Sequence, residues 1–332
     1  MMVCGSLLSL AIAHSDVAAD ILRDHEWSNW KQKHMKYYAS DNEELERYVT
    51  WRTNKAYVEY HNALAQDFGY SLVLNTFGDV GSDEFCRSKE CSEVEKGPLF
   101  VNAVYLNVSE RAKGAVPAAI DWRQKGIVTA VKDQGMCHGC YAFVVAGMLE
   151  GLHAITTGNL VSLSEQNIID CSVLYGNRGC SGGDRLSAVS YVTDNGGINT
   201  EADYPYKARQ GLCNFSSSAI AVSCTGIIRI QPGSEEDLMA AIAFSGPVSV
   251  SIDAAHNSFQ FYSSGIYSQP FCSSTELTHS LLVVGYGTLN GKNYWLLKNS
   301  WGVNWGDGGY IMMTKDGTNQ CGIASSAFFL AM

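Results

Sequence analysis

Cys140 stands where a glycine-containing loop gives way to an apolar helix, a position at which a thiol becomes reactive. In the segment 133–143, DQGMCHGCYAF, the loop precedes this cysteine, and apolar residues then recur at helical spacing as far as Ile155. Gly158 is a suitable helix stop. The unpaired N–H groups and the dipole of a helix N-terminus favour a thiolate, which is the nucleophilic form. The sequence therefore predicts a nucleophile for covalent catalysis at Cys140.

Two later segments could supply the groups that a cysteine nucleophile needs. His279, in the apolar run 277–287, could take the thiol proton and return it to a leaving amine. Asn299, in the run 299–302, could orient the imidazole through a side-chain hydrogen bond. Together with the loop at Cys140, these segments resemble papain-like cysteine proteases, and the cathepsin L subgroup in particular.

The resemblance implies two further participants in catalysis. Gln134 matches the oxyanion-hole glutamine of the family, whose side-chain amide would act together with the backbone N–H of Cys140. Trp301 would shield the bond between His279 and Asn299 from water. We find no His-His insertion of the kind that closes the cleft in exopeptidase relatives, so the resemblance implies an endopeptidase. It implies no cofactor and no metal ion.

A helical region before the catalytic segments carries a second signature. Six of its residues recur at steps of three or four, which places them on one helical face; they are Glu43, Arg47, Trp51, Asn54, Val58 and Asn62. This spacing is similar to the ERFNIN pattern of cathepsin L-type propeptides, and residues 75–79 resemble the second propeptide motif. The resemblance implies a zymogen that acid releases, through protonation of carboxylates in salt bridges that dock the propeptide.

These motifs divide the chain into three parts. Residues 1–13 are apolar, end in AIA and predict a secretory signal peptide cut between residues 13 and 19; because no basic residue precedes the run, a buried strand is the alternative. Residues 20–115 are predicted to be the inhibitory propeptide, with a polar linker at 86–113. Residues 116–123 resemble the mature N-terminus of the family, so 116–332 are predicted to be the mature peptidase.

Composition and cysteine usage indicate the secretory pathway. A net charge of −10 argues against nucleic acid binding, which needs basic patches. The 11 cysteines fit an oxidising compartment, in which the sequons at Asn107 and Asn214 could be glycosylated. No apolar run reaches the ~18 residues of a membrane span. We expect a lysosomal or extracellular protein.

The order of the secondary-structure patterns predicts an α+β fold. Residues 122–215 are mainly helical in pattern, and Ser164 is suited to cap a helix. Strand patterns dominate the later part of the chain, at 248–253, 280–286, 293–298 and 309–313. The resemblance implies the papain-like two-subdomain fold, with a helical left half and a β-barrel-like right half, preceded by a helical propeptide.

The resemblance also assigns a substrate-binding cleft. Its residues are Gly182, Gly183, Asp184, Arg185, Ser251, Leu277, Thr278, Ser280, Trp301 and Ser326. Cathepsin L-type relatives mostly place apolar residues in the S2 pocket, whereas this set is polar. Either Asp184 and Arg185 pair at the rim, or Arg185 makes the pocket accept a polar or acidic P2 side chain. Thr278 replaces an aspartate of many relatives, which predicts a shifted alkaline limb of the pH–rate profile.

Disulfides and partners follow from the same resemblance. The implied pairs are Cys137–Cys180, Cys171–Cys213 and Cys272–Cys321, which leave Cys140 and Cys224 unpaired within the mature part. The implied partners are protein and peptide substrates, the chain's own propeptide and cystatin-type inhibitors. We expect a monomer.

Two other interpretations of the nucleophile loop stay open. Cys137 and Cys140 form a C-x-x-C pair, which could be a redox centre, although no βαβ pattern surrounds it. Alternatively, the chain is a catalytically impaired papain-fold homologue that acts as a binding or structural protein. This second interpretation depends on His138, Gly139 and Tyr141, which depart from the usual Cys-Gly-Ser-Cys-Trp loop. A positive φ at His138 would be strained.

Overall fold

The computed structural model describes residue 21 and residues 23–89, 103–105 and 116–331. The predicted signal peptide, the cleavage position near Ala115 and the sequon at Asn107 lie outside these residues. The part before residue 116 is here called the prosegment, and its described residues form four helices and two strands. They are α1 (His25–Lys33), α2 (Asp41–Ala63), α3 (Ala65–Phe68), β1 (Tyr70–Leu72), α4 (Ser82–Lys89) and β2 (Ala103–Tyr105). The predicted linker at 86–113 is therefore wrong in part, because α4 extends to Lys89 and β2 lies within it.

The long helix α2 explains the spacing of the first prosegment signature. Ser40 caps the helix by accepting a hydrogen bond from the backbone N–H of Glu43. Further along α2, side chains of the signature form hydrogen bonds with the backbone of the segment that runs back along the helix. Asn54 donates to the carbonyls of Gly78 (2.8 Å) and Val80 (3.0 Å). Asn62, further along, both donates to and accepts from the backbone of Leu72 in β1. The signature thus fixes the path of the segment that leads to the cleft.

Four aromatic side chains form the core of the prosegment. Trp27 and Trp30 of α1 pack against Tyr48 and Trp51 of α2, and all four are buried. The ring centroids of Trp27 and Trp51 lie 5.4 Å apart in an edge-to-face arrangement. Because this small core is built from few large side chains, its stability depends strongly on each of them.

The helical half of the mature part contains three helices, α5 (Cys140–Thr157), α6 (Glu165–Cys171) and α7 (Arg185–Asp194). The predicted caps are confirmed. Ser164 accepts from the N–H of Asn167, and Gly158 ends α5 at φ 77°. Helix α5 is apolar and long enough to cross a membrane by composition alone, but 72% of it is buried within the protein, as is usual for a core helix. Loops occupy much of 122–139 and 195–215, so the mainly helical pattern expected for 122–215 is confirmed only in part.

The later half is built on one mixed sheet. Its elements are β3 (Ile120–Asp121), β4 (Gly226–Arg229), α8 (Glu235–Ser245), β5 (Val248–Ile252), α9 (Asn257–Gln260), β6 (Tyr262–Tyr267), β7 (His279–Leu289), β8 (Lys292–Lys298), β9 (Tyr310–Thr314) and β10 (Ala327–Ala331). All four predicted strands are present. The strand order is β1-β6-β9-β8-β7-β5-β10-β4-β2, with β3 paired to β7. The prosegment therefore supplies the strand at each end of this path, β1 antiparallel to β6 and β2 parallel to β4.

Strand β7 separates two hydrophobic cores. Because side chains alternate across a strand, Leu281 and Val283 enter the core of the strand half, whereas Leu282 and Val284 enter the core built on α5. His279 begins this strand, and Cys140 begins the helix that packs on it. The α+β prediction is confirmed, and the fold brings the two predicted catalytic segments to the junction of its halves.

Candidate active site

Cys140 is the first residue of α5 and is completely buried. Gly139 precedes it as the N-cap, and no side chain caps this helix end. The sulfur of Cys140 is disulfide-bonded in this structure. A disulfide sulfur is not a nucleophile. The bond must therefore be reduced before Cys140 can react as a thiolate.

The three predicted disulfides are confirmed. They join Cys137 to Cys180, Cys171 to Cys213 and Cys272 to Cys321. The first of them ties the nucleophile loop to the segment that carries Gly182 and Gly183. Cys137 is thus bonded outside the C-x-x-C pair, which argues against the redox-centre interpretation. Cys224 is buried, and burial raises the pKa of its thiol above the ordinary value.

His279 and Asn299 meet as the sequence predicts. The ring atom Nε2 of His279 lies 2.8 Å from Oδ1 of Asn299, and both residues are buried. Oδ1 also accepts a hydrogen bond from the backbone N–H of Ser300 (2.8 Å), which fixes the orientation of the amide. Trp301 stacks on the imidazole, with ring centroids 4.6 Å apart and an interplanar angle of 28°. The tryptophan therefore covers the bond between histidine and asparagine.

Gln134 is fully buried, and its side chain is held at both ends. Its Oε1 accepts from the hydroxyl of Ser300 at 2.6 Å, and its Nε2 donates to the carbonyl of Cys137 at 2.9 Å. An amide nitrogen carries two hydrogens, and the Cys137 carbonyl takes one of them. The link from Gln134 to Ser300, next to Asn299, is a positioning contact that the sequence did not predict.

The unusual residues of the nucleophile loop fit without strain. His138 is absent from the residues with positive φ, so the strain expected there is not found. A Cβ at Gly139 would lie 3.0 Å from Cδ1 of Ile169, which gives a local reason for the small residue. Tyr141 is buried and donates to the carbonyl of Gly179 at 3.1 Å. The loop thus gives no structural support for a catalytically impaired homologue.

The two glycines of the predicted cleft are required by their backbone surroundings. Gly182 has φ 96° and ψ 172°, which side chains rarely adopt. A Cβ at Gly183 would lie 2.5 Å from Oδ1 of Asn177 and 2.8 Å from a ring carbon of Tyr141. Both positions therefore exclude larger residues for reasons internal to the loop.

Asp184 and Arg185 point in different directions. The carboxylate of Asp184 caps α7, accepting from the backbone N–H (2.9 Å) and the hydroxyl (3.2 Å) of Ser187. Arg185 is 2% exposed, and it donates to the side chains of Ser249 and Ser326. The predicted ion pair between Asp184 and Arg185 at the rim is therefore wrong, because the Asp184 carboxylate instead caps the N-terminus of α7.

Three of the four remaining predicted S2 residues are serines. Ser251 of β5 faces Ser280 of β7, and their hydroxyl oxygens are 3.4 Å apart. Leu277 and Ser326 line a solvent-open cavity of about 540 Å³. Thr278 accepts from the backbone N–H of Ala254 at 3.0 Å, so its hydroxyl stabilises the loop before β7.

A buried charge cluster between the halves was not predicted. Lys132 bridges Glu150 (3.1 Å) and Glu165 (2.6 Å), and Lys298 donates to Thr129 at 2.9 Å. Burial raises the pKa of Glu165 to about 8 and lowers that of Lys298 to about 8. The sequence pattern that could have predicted this cluster is a charged residue within an apolar run, as at Glu150 in α5 and at Lys298 in β8.

The prosegment docks on the strand half of the mature part through uncharged contacts. Asn75 donates to the carbonyl of Gln260 at 2.8 Å, and Gln260 donates to Phe77 (3.1 Å) and Val80 (2.9 Å). The ring of Phe77 meets Trp301 edge to face at a centroid distance of 6.1 Å.

Helix α4 extends this contact to His279. Phe85 lies 5.2 Å from Trp301, ring centroid to ring centroid. Phe85 and Cys86 line a small cavity together with Thr278, His279 and Trp301. The prosegment thus covers the side of the cleft formed by the strand half.

Comparison with known proteins gives these features a family. Residues 116–331 match the model of the papain family of cysteine proteases, and residues 27–85 match the cathepsin propeptide inhibitor domain (I29). The chain therefore belongs to the papain family of cysteine proteases, and it is a zymogen with an inhibitory propeptide. Within that family its relatives include cathepsins of the L type, which confirms the resemblance inferred from the sequence.

The similarity covers almost the whole chain. This chain is 46% identical over 314 residues to silicatein from Petrosia ficiformis, and the alignment covers 92% of this chain and 93% of the relative. It is 44% identical over 324 residues to cathepsin S from Mus musculus, covering 96% and 93%. The structure is similar to that of digestive procathepsin L 3 from the larval midgut of Tenebrio molitor, with a TM-score of 0.85, 40% identity and coverage of 92% and 98%.

Proposed function

We propose that this protein is an endopeptidase whose nucleophile is Cys140 and whose general base is His279. The observation that carries the proposal is the buried bond from His279 Nε2 to Asn299 Oδ1, stacked under Trp301. This bond fixes the ring orientation, so Nδ1 is the nitrogen that takes the thiol proton. The position of Cys140 at the start of α5 favours the resulting thiolate.

The reaction follows from these roles. The thiolate of Cys140 attacks the scissile carbonyl carbon, and His279 gives its proton to the leaving amine as the C–N bond breaks. Water then gives a proton to His279 as its oxygen attacks the thioester, and the proton returns to the sulfur when the acid product leaves. The oxyanion in each step is stabilised by the backbone N–H of Cys140 and by the amide of Gln134, which Ser300 holds in place.

The prosegment is proposed to inhibit by covering the cleft, and acid is proposed to act on its internal structure. Every ion pair that it makes among the described residues joins two prosegment residues: Lys31–Glu44, Lys36–Asp79, Arg47–Glu84, Lys55–Glu26 and Lys55–Glu59. The predicted release through docking salt bridges is therefore not supported by these contacts. Protonation would instead loosen the fold that presents the docking segment.

Glu44 is the carboxylate for which the direction of this effect can be derived. Burial raises its pKa, but hydrogen bonds from Lys31 and Trp27 outweigh burial and hold the pKa below its ordinary value of 4.5. A carboxylate with a lowered folded-state pKa stabilises the fold above its ordinary pKa. That stabilisation is lost as the pH falls below 4.5 through the folded-state value.

Glu44→Gln is therefore expected to begin processing at a higher pH than the unaltered zymogen, by roughly 0.5 pH unit for a partly exposed pair. The measurement is the fraction of processed chain after incubation across a pH series. Glu46→Gln is the matched control, since this residue is exposed on the same helix. An equal onset in Glu44→Gln and Glu46→Gln would contradict the role of Glu44.

The finer assignments belong to the same proposal. We infer passage through the secretory pathway to a lysosomal or extracellular destination, which the three disulfides support. Asn214 is exposed and remains a candidate for glycosylation. A monomer that cystatin-type inhibitors bind is the expected active form.

The experiment that tests the proposed function is hydrolysis of a peptide with leucine at P2 after acid processing, with and without a thiol reductant. We expect cleavage that requires the reductant, because Cys140 is disulfide-bonded in the zymogen. Cys140→Ser, processed by an added protease, is the control. Cleavage that survives this substitution would contradict the proposal.

A further inference from the structure

We propose that Tyr206 is a positioning residue for peptide hydrolysis, whose hydroxyl holds Gln134 with its amide directed at the oxyanion. The inference rests on the proposed endopeptidase function and adds a residue to its machinery. Tyr206 lies in the loop between α7 and β4, outside every segment that the sequence assigned to catalysis.

The contact between Tyr206 and Gln134 is a direct hydrogen bond. The hydroxyl of Tyr206 donates to the backbone carbonyl of Gln134 at 2.8 Å. The same carbonyl accepts from the backbone N–H of Cys137 at 3.2 Å, and the Gln134 amide donates back to the carbonyl of Cys137 at 2.9 Å. These two donors satisfy both lone pairs of a carbonyl whose residue is completely buried. The tyrosine therefore clamps the turn from which the Gln134 side chain projects.

Gln134 is held from both halves of the mature part. From the strand half, Ser300 accepts from the backbone N–H of Gln134 at 2.8 Å and donates to its Oε1 at 2.6 Å. The other proposed oxyanion donor, the backbone N–H of Cys140, belongs to α5. An oxyanion hole whose donors come from two halves needs a contact that sets Gln134 relative to α5. Tyr206 supplies one, because its ring meets that of Phe143 in α5 edge to face, with centroids 5.0 Å apart.

The tyrosine is itself anchored on both sides of its backbone. The N–H of Tyr206 donates to the carboxylate of Glu201 at 2.8 Å. The N–H of Lys207 donates at 2.8 Å to Oε1 of Gln166, a completely buried residue of α6. Burial raises the pKa of the Tyr206 hydroxyl above its ordinary value, so the group stays a hydrogen donor throughout the working pH range.

The test removes only this hydroxyl, as Tyr206→Phe, in the reduced and processed enzyme. We expect kcat/KM for a peptide substrate to fall about five- to tenfold, as for the loss of one hydrogen bond, and the loss to appear in kcat. Gln134→Ala, which removes the oxyanion donor, is expected to lower kcat/KM by about 10²–10³-fold. In the Gln134→Ala background, Tyr206→Phe should change kcat/KM by less than about twofold, because no amide is left to position.

Alkylation of Cys140 by iodoacetamide distinguishes positioning from a general structural role. The thiolate displaces iodide from carbon, and no oxyanion forms on a carbonyl, so the rate and its pH profile should be unchanged in Tyr206→Phe. Tyr204→Phe is the matched control, because that buried hydroxyl donates to Asp170 at 2.7 Å instead of to Gln134. We expect its kcat/KM to stay within about twofold of the unaltered enzyme. Thermal unfolding shows whether each variant is folded.

Three results would overturn the inference and leave the proposed function standing. They are a loss in Tyr206→Phe that persists in the Gln134→Ala background, an equal fall in the rate of alkylation, and an equal loss in Tyr204→Phe. If the unaltered enzyme does not cleave the peptide, or if Gln134→Ala keeps full activity, the proposed function has failed and the inference fails with it.

Discussion

Replacement of His279 by alanine is expected to lower kcat/KM by about 10³–10⁴-fold, the range associated with a general acid–base. The imidazole is buried, oriented by Asn299 and covered by Trp301, so no water or other side chain can easily substitute for it. The loss should appear in kcat rather than in KM, because the histidine acts on the reacting atoms. The measurement is steady-state kinetics on active enzyme processed by an added protease.

His153→Ala is the matched control for the loss of a histidine. This residue lies in α5, 13 residues after Cys140 and therefore about 20 Å along the helix axis from it. We expect its kcat/KM to stay within about twofold of the unaltered enzyme, because this half-buried side chain is remote from the reacting atoms. If His279→Ala retained more than about a tenth of the activity, the assigned general base would be wrong.

Trp51→Ala is expected to destabilise the prosegment by about 3–5 kcal/mol, the usual cost of removing a buried tryptophan. Trp51 is 2% exposed and packs against Trp27, Trp30 and Tyr48. Because α2 holds the segment that docks on Gln260 and Trp301, loss of this core should expose the cleft at neutral pH. The measurement is labelling of the reduced zymogen with an epoxide-type inhibitor at pH 7.

Trp51→Phe supplies the comparison, since phenylalanine keeps a large aromatic side chain in this core. A smaller loss and little labelling at pH 7 are expected for it. Thermal unfolding of both variants in a Cys140→Ser background shows whether the chain still folds. Equal labelling of Trp51→Ala and the unaltered zymogen, with both folded, would contradict this account of inhibition.

The parts of the site that were predictable depend on local pattern. The helix start at Cys140 is visible as a loop followed by helical spacing, and His279 and Asn299 lie in recognisable motifs. The prosegment signature was predictable because a helix face imposes a fixed spacing on Asn54 and Asn62, which hold the returning chain.

The parts that were missed depend on competition between distant partners. Asp184 and Arg185 are neighbours in sequence, and pairing seemed natural. In the fold, however, a helix N-terminus binds the carboxylate, while Ser249 and Ser326 bind the guanidinium. Neither serine is near Arg185 in the chain. The cluster around Lys132 was missed for the same reason, because its members come from both halves.

The most direct test of the central claim is to find where an epoxide-type inhibitor attaches to the reduced, acid-processed protein. Mass spectrometry of the digested adduct should place one label on Cys140, and the label should be absent before acid treatment and in His279→Ala. A label on Cys224, or equal labelling of Cys140 with and without His279, would contradict the claim that Cys140 is the nucleophile activated by His279.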